Sequence, residues 1–577
     1  MRHITYVIVL VCLVMGVYWQ TAVSMSSNQP PTPILLSDQT QTEGDVFTFS
    51  FGSTNNIYWF EQNTTSSEGL DLFFSTPPYT QTVRLSDLTQ TEGSANYMHT
   101  LSATADDGTP HLIWLEDTGT SEEYDLFYWN PISGTLRLTD QSITEGSPSL
   151  SQVQMNIQLD QNNQAHVIWN EIGNDGLTTL WFYWSQATNQ TQQISGINPG
   201  FLPAMAIQGT TVHLVWNDYN DNSLHYWNSA DKTILDIPGT AWVAAGIGAF
   251  IPDSSGNMLL YWYETSTQNC LNRWNATTQT VETLVSSAQS DCISALNFEQ
   301  DNSGKLHAAM LIGQFSQPNL YYWNSTLSNP ILIQSLTGVS PKYWTHVDKN
   351  GVFHIVWLSP APSESLYYWN STDQSVVNLS AGFGSGTYVS EYTVNVFYPN
   401  NKLYISWSED NAFHIWQPGG TIENLNTKFG MSGITLPAMR ADSQGNLFMA
   451  WHGTPTSGSE GLFVWDEVSN TVQQVFTGTP VNTYFLSFSV TPAGTPYLAW
   501  ASSNQAYYWN ESVGTINLTV NALPDFENVY VSIDSDGNVN LTWLETSSTA
   551  GEGSDIYAAW IPAPVLSHSV YLPAIQK

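Results

Sequence analysis

The chain has 577 residues, with 12 lysines and arginines against 49 aspartates and glutamates and a formal net charge of −37. So few cations exclude a phosphate-binding surface, which needs clustered Lys and Arg. The 24 Trp, 28 Tyr and 23 Phe exclude disorder, because they give ample apolar surface to bury, and this length calls for several domains or a repeat array.

The N-terminus reads as an export signal. Met1-Arg2-His3 is a short cationic start, residues 4–18 form an apolar run too short to span a bilayer comfortably, and Ala22-Val23-Ser24 fits a small-x-small cleavage site. Residues 1–24 are assigned as a signal peptide and 25–33 as a polar, Pro-rich leader, with an uncleaved signal anchor as the alternative. The protein is then expected outside the cell or on its surface, as a monomer with no membrane span after cleavage. Cys270 and Cys292 are expected to form one disulfide in that compartment, two unpaired cysteines being the alternative.

Beyond residue 33 two short patterns alternate. One is His-x-x-Trp, often followed by an acid: His111 to Trp114, His166 to Trp169, His213 to Trp216, His354 to Trp357. The other is Leu-x-Tyr-Trp-Asn, ending at Asn130, Asn228, Asn324 and Asn370. Weaker copies complete eleven units centred on Trp59, Trp114, Trp169, Trp216, Trp262, Met310, Trp357, Trp407, Trp451, Trp500 and Trp543. Each unit reads as four strands, a to d: an alternating strand, a tight D-x-x-G turn, the His-x-x-Trp strand, the Tyr-Trp-Asn strand, and a short outer strand. Such units every 45 to 50 residues or so predict β-propeller blades.

The segment at residues 34–37 repeats the outer strand of later units with nothing before it, so it is expected to complete the last blade and close a ring. The pattern resembles the repeats of secreted bacterial sialidase-like (Asp-box) propellers. It lacks their S-x-D-x-G-x-T-W turn, so the resemblance implies the fold and little about activity. A sialidase-type arginine triad is not expected: Arg84 and Arg137 share one repeat position on the outer strand d, Arg273 is on strand c, and only Arg440 is on an inner strand. Single rings usually hold about four to eight blades. The all-β fold is therefore expected as two lobes, residues 34–335 with six blades and 336–565 with five, followed by a tail at 566–577; one wide ring is the alternative.

Acids recur just after strand b: Glu61, Glu116, Asp117, Glu171, Asp218, Glu264, Glu409, Asp410 and Glu545. On the face carrying the b–c and d–a loops they could form a carboxylate ring for Ca²⁺ or sugar hydroxyls, or supply an acid/base pair; the bland reading is strand-end charge that keeps the protein soluble. No other cofactor is implied. The recurring His111, His166, His213, His307 and His354 are expected to pack. Trp242, Tyr343, Trp344 and His346 depart from the repeat and are the expected ligand contacts on that same face, since aromatic faces take sugar rings or protein partners. Nine sequons, at Asn63, Asn189, Asn275, Asn324, Asn370, Asn378, Asn510, Asn517 and Asn540, are glycosylation candidates, although hairpin chemistry alone explains several. The reading is a non-catalytic propeller binding a glycan or an extracellular protein, with no nucleic-acid partner; a glycan hydrolase or lyase using the carboxylates and a structural surface protein are the alternatives.

Overall fold

A computed structural model describes residues 31–37, 46–51, 55–63, 69–86, 94–117, 124–139, 146–148, 153–173, 179–194, 203–218, 223–240, 245–253, 255–264, 269–286, 295–314, 317–336, 342–359, 365–380, 389, 394–409, 412–478, 486–503, 505–520, 529–534, 536–546 and 553–563. They form eleven antiparallel sheets, numbered here 1 to 11 in chain order. In sheet 2, strand a is Ala95–Thr104, b Pro110–Asp117, c Tyr124–Asn130 and d Gly134–Arg137. Strands b and c are buried almost throughout, while an outer strand such as Thr280–Ser286 is largely exposed. Central strands carry apolar residues on both faces because another sheet covers each face. The described helical structure is a single turn at Leu425–Phe429, capped by Asn424, and a three-residue 3₁₀ turn at Pro399–Asn401.

The adjacent Tyr and Trp of strand c point to opposite faces of their sheet, as period-2 geometry requires. Several strand-c Trp residues meet the strand-c Tyr of the preceding sheet: Trp184 lies 4.8 Å from Tyr128, Trp227 5.3 Å from Tyr183, Trp274 4.9 Å from Tyr226 and Trp369 5.0 Å from Tyr322. Strand-b Trp residues instead stack within their own sheet, as Trp169 does on Phe182 at 5.6 Å. One pattern therefore joins sheets and the other stiffens each sheet.

The ring closes through the N-terminus. Ile34 pairs with Ala558 and Leu35 with Tyr557; the Leu36 amide donates to Ile556 O at 2.9 Å, and Ser37 Oγ donates to Asp555 at 3.1 Å. Among the described residues the buried apolar side chains fall into eleven clusters, one at each junction of neighbouring sheets, including sheet 11 against sheet 1. Two closed lobes would pack sheet 6 on sheet 1. Instead Ala309, Leu311 and Tyr322 of sheet 6 pack on Phe353, Ile355 and Trp357 of sheet 7. The packing follows the one-ring alternative, and the expected boundary near residue 335 is a junction like the other ten. Each sheet needs two covered faces, and a ring supplies both to every sheet.

Candidate functional site

The strand-b carboxylates do not form an open ring. Glu61, Glu116, Glu171, Glu264, Glu409 and Glu545 are at most 4% exposed, and Asp218 is 5% exposed. Residues two apart on a strand share a face, so each Glu reaches the indole two residues before it. Nε1–H donates from Trp59 to Glu61 at 3.3 Å, Trp114 to Glu116 at 3.1 Å, Trp169 to Glu171 at 2.8 Å, Trp262 to Glu264 at 3.1 Å, Trp407 to Glu409 at 3.1 Å and Trp543 to Glu545 at 2.7 Å. Where Ser359, Gly453 or Ser502 stands in place of the acid, the indole of Trp357, Trp451 or Trp500 has no hydrogen-bond partner. Trp216 is also unpartnered although Asp218 follows it, consistent with a side chain one methylene short. Gly453 has a steric reason: a Cβ there would lie 2.8 Å from Gly433 O. Asp117 is half-buried, and Asp410 lies outside the described residues.

The recurring histidines belong to buried chains near the a–b and c–d turns. In sheet 6, Asn324 Nδ2–H donates to Tyr322 Oη at 2.8 Å, Tyr322 Oη lies 2.9 Å from His307 Nδ1, and His307 Nε2 lies 3.3 Å from Asp301. A carboxylate only accepts, so Nε2 carries the proton and the phenol donates to Nδ1. His111, His166, His213 and His354 make the same contact with Tyr128, Tyr183, Tyr226 and Tyr368 at 2.7 to 2.9 Å. Burial lowers His111 and His213 to about 4 and raises Tyr368 to about 12. Against its own burial, hydrogen bonds from Ser303, Lys305 and His307 hold Asp301 at about 2. These histidines are neutral packing groups, as their recurrence implies.

The expected ligand contacts separate. Trp242 lies outside the described residues, as do most b–c and d–a loops. Tyr343 packs on the core between sheets 6 and 7, and Trp344 on the core between sheets 7 and 8; both are half-buried. His346 corrects the expectation of a single face. It pairs with His354 two residues before the turn at Asp348, so it belongs to the opposite, a–b end. There it lines a cavity of about 310 Å³ with Gln300, Asp301, Asp348, Tyr398, Asn400 and Asn401 among its walls. Its ring centroid is 3.7 Å from that of Tyr398, and its Nδ1 is 3.9 Å from Glu299. Burial lowers its pKa against the opposing pull of Glu299 and Asp348.

The sequence reading missed a set of buried acids on strand c. Asp71, Asp125 and Asp555 stand directly opposite Glu61, Glu116 and Glu545. Arg84 Nη2–H donates to Asp71 at 2.6 Å and Arg137 Nη2–H to Asp125 at 2.7 Å. The shared Asp-Leu-Phe or Asp-Ile-Tyr triplet was the available signal. Arg84, Arg137, Arg273 and Arg440 lie in sheets 1, 2, 5 and 9 and do not converge. Among the described residues, no group of three or more His, Cys, Asp or Glu could hold a metal ion, and no helix is long and apolar enough to cross a membrane.

Several sequon asparagines are structural. Asn324, Asn370, Asn510 and Asn540 are buried, and Asn540 accepts from Tyr79 Oη at 3.0 Å. Asn275 caps its hairpin by accepting from the amides of Thr277 and Thr278. Asn189, Asn378 and Asn517 are exposed; the Asn63 side chain lies outside the described residues. So do Cys292 and the side chain of Cys270.

No known sequence family matches the chain, and no curated protein does. Solved structures do match. A puromycin-hydrolysing peptidase of Mycobacterium tuberculosis is 9% identical over 62% of this chain and 60% of its own, with a TM-score of 0.29. A structure titled as the Dos1 propeller is 11% identical over 74% of this chain and 93% of its own, at 0.30. The polysaccharide lyase Uly1 is 12% identical over 64% and 90%, at 0.24. This chain therefore spans less than two thirds of the peptidase. At such identities and scores no substrate or partner passes from these proteins to this chain.

Proposed function

We propose that this propeller is a binding protein, exported to the cell surface or beyond it, that takes a glycan without transforming it. The observation that carries this reading is where the repeat's polar residues go. The strand-b glutamates accept indole protons and the strand-b histidines are locked to tyrosines, each inside its own sheet. A hydrolase or lyase built on those glutamates would need them solvent-facing and near substrate, and their burial argues against it. Polar chemistry facing a cavity is instead found where the repeat is broken, around His346 and Tyr398. The apolar run at residues 4–18 supports export. A glycan array probed with the purified protein tests the reading: selective binding to a set of related glycans is expected. Binding to none, together with turnover of any polysaccharide, would refute it.

A further inference from the structure

Sheet 8 lacks the Asp–His pair of its neighbours. By strand register its a–b turn has Pro399 where sheets 6 and 7 have Asp301 and Asp348, with Tyr398 just before it, and Tyr404 replaces His307 and His354. The next two positions of the turn that carry side-chain amides, Asn400 and Asn401, have left-handed backbone, φ 44° and 66°. This break opens the cavity among the turns of sheets 6, 7 and 8.

Tyr398 Oη is buried and has no hydrogen-bond partner. An unpaired buried hydroxyl costs about 1–3 kcal/mol, a cost that a bound group able to accept or donate would recover. His346, half-buried in the wall beside it, offers one donor and one acceptor when neutral. Gln300, Asn302, Asn400 and Asn401 put amides on the walls. The two turn carboxylates are engaged. Asp301 accepts from Ser303 and Lys305, and Asp348 from Asn350 and Val352. They are poorly placed to strip water from a metal ion. With Glu299 they outweigh Lys349, the cation on the cavity wall, so in a chain of net charge −37 the surroundings stay negative, which disfavours an anionic guest.

Resting on the glycan reading above, we propose that this cavity holds one neutral sugar residue. Its hydroxyls pair with Tyr398 Oη, the His346 imidazole and the amide-bearing walls.

The test uses the purified protein, saturation-transfer NMR, and titration with neutral methyl glycosides of glucose, mannose, galactose and xylose. Methyl glucuronide is the charged comparison. At least one neutral glycoside should bind. Tyr398→Phe, which removes only the hydroxyl, should raise its Kd at least fivefold, and His346→Gln should raise it at least threefold. Tyr398→Phe, which removes an unpaired buried hydroxyl, is expected to match or exceed the wild-type thermal midpoint and His346→Gln to keep it; if one unfolds, the other decides. Neutral-sugar binding unchanged in the folded variants would overturn the cavity assignment while leaving the glycan reading intact. Binding of the glucuronide alone would overturn the neutral class. If neither the glycosides nor the array shows binding, the glycan reading falls and the proposal falls with it.

Discussion

Replacing Glu264 by alanine tests whether the strand-b acids are acceptors that hold the fold. Glu264 Oε1 accepts from Trp262 Nε1 at 3.1 Å and from Asn272 Nδ2 at 3.0 Å, and Thr283 Oγ1 donates to Asn272 Oδ1 at 2.9 Å. Glu264 is 4% exposed and Asn272 2%, so water cannot freely replace the lost acceptor. Each orphaned donor costs about 1–3 kcal/mol. The indole belongs at the low end, because the fold already tolerates unpartnered indoles at Trp357, Trp451 and Trp500. About 1 kcal/mol for Trp262 and 2 for Asn272 gives about 3 kcal/mol for Glu264→Ala. Glu264→Gln keeps an acceptor oxygen and removes a buried charge, two effects that oppose each other; a loss of about 1 kcal/mol or less is expected. Urea unfolding followed by Trp fluorescence reads both, with an unchanged m-value showing that the same cooperative unit is compared. An alanine variant within about 0.5 kcal/mol of wild type would refute the acceptor argument. A glutamine variant as damaged as alanine would show that charge, not hydrogen-bond acceptance, is what matters.

Leu36→Asp should lower stability by about 3 kcal/mol or more, because it puts a carboxylate at a fully buried position between sheets 11 and 1; the thermal midpoint checks it, and an unchanged midpoint would mean the N-terminal strand does not close the ring. Burial lowers His111 and His213 to about 4 from about 6.5, so their contribution is complete above pH 6.5 and lost as pH falls towards 4, by up to about 3 kcal/mol each. Urea midpoints between pH 7.5 and 4.5 should fall accordingly, and His213→Asn should flatten that fall. Thiol titration of the denatured, unreduced protein after export should find Cys270 and Cys292 bonded and unreactive; two free thiols there would remove the expected disulfide.

The blade count and the closing strand were legible because both follow from repetition. Eleven copies of a Trp-centred strand mark eleven units, and the unpaired outer strand at Ile34–Leu35 has one place to go. The roles of the acids were less legible. They were read as strand-end charges facing a loop, yet strand b continues through them, as Ala165–Gly173 runs past Glu171. Once the acid lies inside the strand, the two-residue offset from Trp points it at the indole, and the flanking sheets bury it. The lobe count misled because it came from the usual size of rings, whereas the ring here is set by which junctions are covered.

The site itself was half visible. His346 stood out as a residue that departs from the repeat, but counting it with Trp344 assigned both to one end of the sheet. Only the pairing of His346 with His354, close to the turn at Asp348, places it at the other end. Its partner Tyr398 was hidden for a different reason. A search for added aromatics finds Trp242 and Trp344, whereas Tyr398 stands beside the loss of an expected Asp, whose register position Pro399 takes. In the neighbouring sheets that Asp holds its own turn and bonds or faces the strand-b His at 3.3 to 3.7 Å. Removing both Asp and His from sheet 8 leaves a phenol with no internal partner. In a repeat protein, a polar contact that recurs from sheet to sheet is a pairing the fold has already satisfied. The place to look for a ligand is therefore where the pairing lapses and a buried polar atom is left over.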